Sequence, residues 1–121
     1  MAQVLTNAGR TLVQNRLNGT GTAPIYLAQG TGAGTSAATD VALFTEVLPR
    51  VAGTPSIVTV NVTSDTYQLT GTMTVASPEG VTNAGIFDAS TSGDLFLHAD
   101  FSIVNLAAGD GITYTWRWTL S

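Results

Sequence analysis

Ile112-Thr113-Tyr114-Thr115-Trp116-Arg117-Trp118-Thr119-Leu120 alternates apolar and polar residues without a break. A period of two puts Ile112, Tyr114, Trp116, Trp118 and Leu120 on one face of a strand and the threonines with Arg117 on the other. One face is then dry and one polar, the signature of an antiparallel sheet packed on a core from one side. Side chains this large need an opposing layer, so the stretch implies a sandwich or barrel.

Working back from it, Gly109-Asp110-Gly111 ends a loop, and before that loop Leu95, Leu97, Ala99, Phe101 and Ile103 alternate with Phe96, His98, Asp100 and Ser102. This predicts a second strand with an apolar face and a polar face, the latter carrying His98. Ser92-Gly93-Asp94 suits a hairpin turn, Ile86-Phe87 starts a short strand, and Ser77-Pro78-Glu79-Gly80 is a turn. Tyr67, Leu69, Gly71, Met73 and Val75 alternate with Gln68 and threonines, another strand signal, and the β-branched run Ile57 to Thr63 reads as a strand too. Val41 to Val47 fits either a helical turn or irregular chain, with Asp40 as a cap and Pro49 as its limit. Ile25-Tyr26-Leu27-Ala28 is a short strand ended by the loop Gly30-Thr31-Gly32-Ala33-Gly34.

Only the first segment is helical. Leu5, Ala8, Leu12, Val13, Arg16 and Leu17 recur at helical spacing, Thr6 or Asn7 can cap the start, and Asn18-Gly19 supplies the stop. Gly9 weakens this helix by up to ~1 kcal/mol relative to alanine. Thr-Asn-Ala-Gly occurs at 6–9 and 82–85 in two different contexts and reads as coincidence rather than a repeat. The expectation is one mainly β domain over residues 1–121, a jelly-roll-like antiparallel sandwich. Its helical N-terminal segment is 1–19, its strands fill 20–121, and Phe87, Phe101, Tyr114, Trp116 and Trp118 contribute to its core.

Composition narrows the function. Twelve of 121 residues are charged and none is lysine; threonine, with 20 residues, supplies much of the polarity. A typical domain is about a quarter charged, and lysine is a common guard of exposed sheet edges. A chain without that guard fits a subunit covered by neighbours. Net charge is −4, and the four arginines form no run, so phosphate-backbone binding has no footprint. No apolar run approaches the ~20 residues of a membrane span. The N-terminus carries no basic region followed by an apolar stretch, hence no signal peptide is expected. Cysteine is absent, which excludes disulfides and thiolate chemistry.

The candidate sites are sparse. Gly30-Thr31-Gly32-Ala33-Gly34-Thr35-Ser36 looks like a phosphate loop but no lysine completes it. His98 is the only histidine, no G-x-S-x-G elbow accompanies it, and a lone imidazole on a polar strand face reads as solvated or interfacial, so His98→Ala is expected to leave assembly nearly intact and to abolish no activity. His98 with Asp100 gives two metal ligands, fewer than zinc sites use. Asp88, Asp94 and Asp110 fall in predicted loops as turn residues, with no calcium-loop pattern. The Tyr114-Trp116-Trp118 stripe could stack on sugars, but its alternation assigns it to the core. No catalytic residue, cofactor or metal is expected.

Several ordered segments carry a resemblance. They are Leu5-Thr6-Asn7-Ala8-Gly9-Arg10, Tyr26-Leu27-Ala28-Gln29-Gly30-Thr31-Gly32, Thr39-Asp40-Val41-Ala42-Leu43 with Glu46, Ala84-Gly85-Ile86-Phe87-Asp88-Ala89, and Gly109-Asp110-Gly111-Ile112-Thr113-Tyr114-Thr115-Trp116. Together they resemble small virion proteins of tailed bacteriophages, of the head decoration (cement) and tail-fibre-like kind. An acidic residue often precedes the Ala-Gly-Ile-Phe segment in that pattern, where this chain has Asn83. The resemblance implies a non-enzymatic structural protein, made in the bacterial host cytoplasm and placed on the outer capsid surface. It implies the major capsid protein as partner, self-association as a homotrimer, and neither nucleic acid nor membrane. Tail fibre, collar or baseplate is the alternative position, and a glycan-binding module a remote one. Within this frame Leu5, Arg10, Leu12 and Arg16 are the expected capsid-docking residues, on a segment whose removal should weaken docking more than folding.

Overall fold

The computed structural model describes residues 2–120. It is mainly β, with two antiparallel sheets and one short helix, and its element order is β1 (Ala2–Leu5), α1 (Asn7–Leu17), β2 (Tyr26–Gly30), β3 (Glu46–Ala52), β4 (Thr54–Val58), β5 (Thr66–Thr74), β6 (Glu79–Phe87), β7 (Leu95–Leu106) and β8 (Gly111–Thr119). The larger sheet has the order β1-β7-β6-β2-β3 and the smaller β4-β5-β8. The strand order, which alternation alone could not supply, thus divides the sandwich five against three.

The helix begins and ends where its signals lie. Thr6 caps it, its hydroxyl accepting the Gly9 N–H at 2.9 Å, and Gly19 takes the left-handed conformation (φ 78°) beyond Asn18. Leu5, however, belongs to a strand: β1 pairs with β7 through Ala2↔Asp100 to Leu5↔Leu97. Residues 1–19 are therefore not one helical segment. Gly9 has a packing reason that propensity misses, because a Cβ there would collide with the Phe96 carbonyl oxygen. The helix lies directly on β7, and Leu12 enters the main core.

That core joins Leu27, Leu69, Met73, Ile86, Phe96, Leu97 and Trp116 between the sheets, with Phe101, Tyr114 and Trp118 half-buried against it. β5 and β8 pair without interruption from Thr66↔Thr119 to Thr74↔Gly111, as their clean alternation predicts. The β7 alternation is broken instead. Its register with β6 slips between Ile86↔Leu97 and Phe87↔Leu95, leaving Phe96 as an extra residue, and again between Asn83↔Asp100 and Val81↔Val104. A bulge turns consecutive side chains to the same side, so Phe96 joins Leu97 and Ala99 in the main core while Leu95 sits with Ala28, Leu43 and Phe87 in a second cluster.

Three further expectations change. Ile86-Phe87 ends rather than starts a strand. The β-branched run at 57–63 mostly forms a turn after β4, since Asp65 draws the backbone N–H groups of Val60, Asn61 and Val62 onto its carboxylate. Pro49 lies inside β3 rather than limiting an element. β3 is a sheet edge and its register with β2 jumps from Leu27↔Val51 to Gln29↔Val47, so the missing N–H of Pro49 falls in the bulge. The two Thr-Asn-Ala-Gly segments are unrelated locally, one starting a helix and one inside β6.

Candidate functional site

The centre of the larger sheet, formed by β2, the second half of β6 and the first half of β7, is buried on both faces. Its inner face meets the smaller sheet, and its outer face is covered by residues 31–45, a strap between β2 and β3. Leu43 packs with Ala28, Phe87 and Leu95, so closely over Gly85 that a Cβ there would lie 2.7 Å from the Leu43 side chain. Backbone bonds from Thr31 to Thr45 and from Gly32 to Phe44 pinch the strap's ends together, and the Asn7 N–H donates to the Ala38 carbonyl at 2.7 Å. The Thr82 hydroxyl donates to the Gly32 carbonyl.

His98 sits under this strap with 0% exposure, which corrects its placement on a solvated or interfacial face. Nδ1 lies 2.7 Å from Asp40 Oδ2 and Nε2 lies 3.0 Å from Asn83 Oδ1. Asn83 is itself oriented: Oδ1 accepts the Phe44 N–H and Nδ2 donates to the Phe44 carbonyl, each at 3.0 Å. Both imidazole nitrogens thus face acceptors, and both bonds form when each carries an N–H. The Phe44 ring closes the site, 4.8 Å from the imidazole centroid. Asp100, next but one on β7, accepts the Ser36 N–H at 2.8 Å instead of sharing a ligand site with His98. The cluster ties strap to sheet through groups far apart in sequence. Its imidazole has no free nitrogen and no open approach, so in this arrangement it neither attacks nor shuttles a proton. Among the described residues, no three His, Asp or Glu side chains gather as metal ligands.

A second polar anchor lies at the other end of the strap. Arg50 of β3 holds Glu46 through two bonds of 2.7 and 3.0 Å, and its Nη1 donates to the carbonyls of Ala89 and Ser92. The guanidinium stacks 3.5 Å from the Phe87 ring centroid. It binds the β3 edge to the β6–β7 turn, where Asp88 accepts the Asp94 N–H. Asp88 and Asp110 act as local turn residues, Asp110 accepting the Ala107 N–H, while Asp94 joins the β6–β7 turn through its backbone N–H and C=O.

The expected docking residues separate. Arg10 and Arg16 are exposed, while Leu12 is buried in the core and Leu5 is half-buried against it. Leu12 is therefore withdrawn as a docking residue. Because β1, Thr6 and Leu12 all build the sandwich, removing residues 1–17 would break the fold rather than detach a docking arm. What the helix offers outward is Arg16 and Leu17 at the rim of an apolar groove of about 370 Å³ that reaches Pro24, Tyr67 and Trp118. Phe87 and Trp116 are core residues as expected, although Phe87 lies under the strap rather than between the sheets. Sequence reasoning missed Asp40, Asn83 and Phe44 as partners of His98, since nothing in their spacing marks three segments that meet only in the fold.

The carboxyls set the acid limit. Asp65 is held well below its ordinary 3.8 by the backbone N–H of Val62, then by those of Val60 and Asn61, and Asp100 is lowered by the Ser36 N–H. A carboxyl depressed in the folded state contributes stability above its unfolded pKa and loses it as pH falls through the folded value. Urea midpoints should accordingly hold steady from neutral pH down to about pH 4 and decline progressively below 3.8. Asp65→Asn should flatten that decline; an unchanged acid limb in this variant would remove Asp65 from the account.

No family model, no curated protein and no solved structure matches this chain.

Proposed function

We propose that the chain is a structural virion subunit that binds the outer surface of a tailed-phage head and stabilises it, with a tail-associated position as the competing outcome. The resemblance in the five quoted segments points to the virion. The observation that carries a docking role is the surface: Leu17 is 78% exposed, and Val62 and Leu120 are each 69% exposed, on a domain with no lysine. Val60, Val62 and Leu120 gather around Asp65, since all three backbone N–H groups donate to it. Apolar patches of this kind mark surfaces that another molecule covers. Polar chemistry, by contrast, is spent inside the fold, on His98 and Arg50.

Attachment on this reading is non-covalent and largely uncharged, through apolar and hydrogen-bonded area. Exposed ion pairs add only ~0–1 kcal/mol each, and the chain has four arginines, of which Arg50 is already engaged. Occupancy of undecorated heads by purified protein should hence change little between low and high salt. Leu17→Asp and Val62→Asp, both at exposed positions, should reduce occupancy without lowering the melting temperature. Binding to isolated tails alone, or complete release at moderate salt, would replace this reading with the tail position or an electrostatic mode.

A further inference from the structure

The sandwich has four sheet edges, and three of them are guarded. β1 is four residues long, β3 carries Pro49 and a register break, and β4 is five residues long with Pro55. β8 is nine residues long, pairs with β5 without a bulge, and holds neither proline nor lysine. Short strands, proline and bulges are among the devices that stop edges from pairing; β8 has none of these three, and its one charge, Arg117, and the Gln3 contact lie toward one end.

The direction of its free groups follows from one contact. Gln3 Nε2 donates to the Arg117 carbonyl at 3.0 Å, so that carbonyl points away from β5. Backbone groups alternate sides with period two in an antiparallel ladder. The N–H and C=O of Thr113 and Thr115 therefore point to the same open side, and neither residue has a backbone partner there among the described residues. Beside this edge runs a cleft of about 280 Å³, walled by Phe101, Val104, Ile112, Tyr114 and Trp116. Trp116, only 6% exposed, keeps an indole N–H without an acceptor. An unpaired backbone edge, an apolar wall and an orphaned buried donor together describe a site for another strand.

We propose that the occupant is β8 of a second copy, paired antiparallel about a two-fold axis at Tyr114. Thr113 then faces Thr115 of the partner subunit, and Thr115 faces Thr113 of the partner subunit, with four backbone hydrogen bonds between them. Threonine meets threonine on the outer side, and Ile112 meets Trp116 of the partner subunit on the inner side. The one charge of the strand, Arg117, falls opposite Gly111 of the partner subunit, so no like charges face each other. The strand is self-complementary in this register, and the pairing closes at two copies without leaving a new edge. The inference stands on the edge and the cleft, independent of any virion role.

Light scattering of the full chain across the micromolar range should approach twice 12.5 kDa. Hydrogen exchange should show the Thr113 and Thr115 amides protected in concentrated protein and fast in dilute protein. Thr115→Pro removes an N–H that the monomer does not use, and should weaken association by about tenfold or more, with a melting temperature equal to wild type in dilute protein, where both are monomers. Thr113→Lys, at an exposed position, should do the same by guarding the edge, and it carries the test if the proline variant fails to fold. A monomer with fast amides at both threonines throughout, a threefold mass, or a dimer unmoved by a folded variant would overturn the proposal.

Discussion

His98→Ala should destabilise the domain by about 3 kcal/mol. Leaving a buried hydrogen-bonding group without its partner typically costs about 1–3 kcal/mol, and Asp40 Oδ2 loses its imidazole partner here, softened by a side chain that is 17% exposed. Asn83 Oδ1 simultaneously loses the imidazole bond. Against a total of roughly 5–15 kcal/mol for a domain, this lowers the melting temperature by on the order of 10 °C. The loss should be local in its first effect: hydrogen exchange at Ser36 and Phe44, whose amides bond Asp100 and Asn83, should accelerate before the strands open. A variant that melts within a degree or so of wild type would show that the buried cluster adds nothing. The alternation around His98 describes a solvated face, whereas the strap covers that face and buries the imidazole.

Trp116→Ala should cost about 3–5 kcal/mol, the usual range for emptying a large aromatic site in a core. Trp116 is buried against Leu69 and its neighbours between the sheets, whereas Trp118 and Tyr114 are half-buried, so their truncations should cost less. Trp116→Phe separates packing from polarity. It retains most of the ring burial and removes an indole N–H that has no acceptor. Burying such a donor carries a penalty of about 1–3 kcal/mol, so this variant should denature close to wild type. Equal urea midpoints for Trp116→Ala and wild type would mean that the aromatic face is not core.

The parts of the fold that were legible are those in which local pattern and tertiary environment agree. The helix was marked at both ends by Thr6 and Asn18-Gly19, and β5 and β8 read directly because one face meets the core and the other is covered with threonine. β7 misled because two bulges shift its faces and because neither face of its first half, Leu95 to Ala99, is open to water, so Leu95, Phe96 and His98 are all buried irrespective of period. Valine and isoleucine near 57–63 suggested strand, but Asp65 gathers three successive N–H groups there and makes a turn. The β8 edge was visible as a strand and not as an edge, because pairing order is a property of the whole chain.

The strap also sets an order of events during folding. Its anchors join Asp40 to His98, Phe44 to Asn83 and Ser36 to Asp100, separations of 58, 39 and 64 residues. The cluster is complete only when β6 and β7 are paired, which brings Asn83 diagonally across the ladder to His98. Closing such long loops costs entropy before any contact offsets it, and sheets built on distant pairings fold on the millisecond-to-second scale. Residues 31–45 are therefore expected to become ordered late, and while the strap is open the outer face of the larger sheet, with Ala28, Phe87 and Leu95, is exposed to other chains.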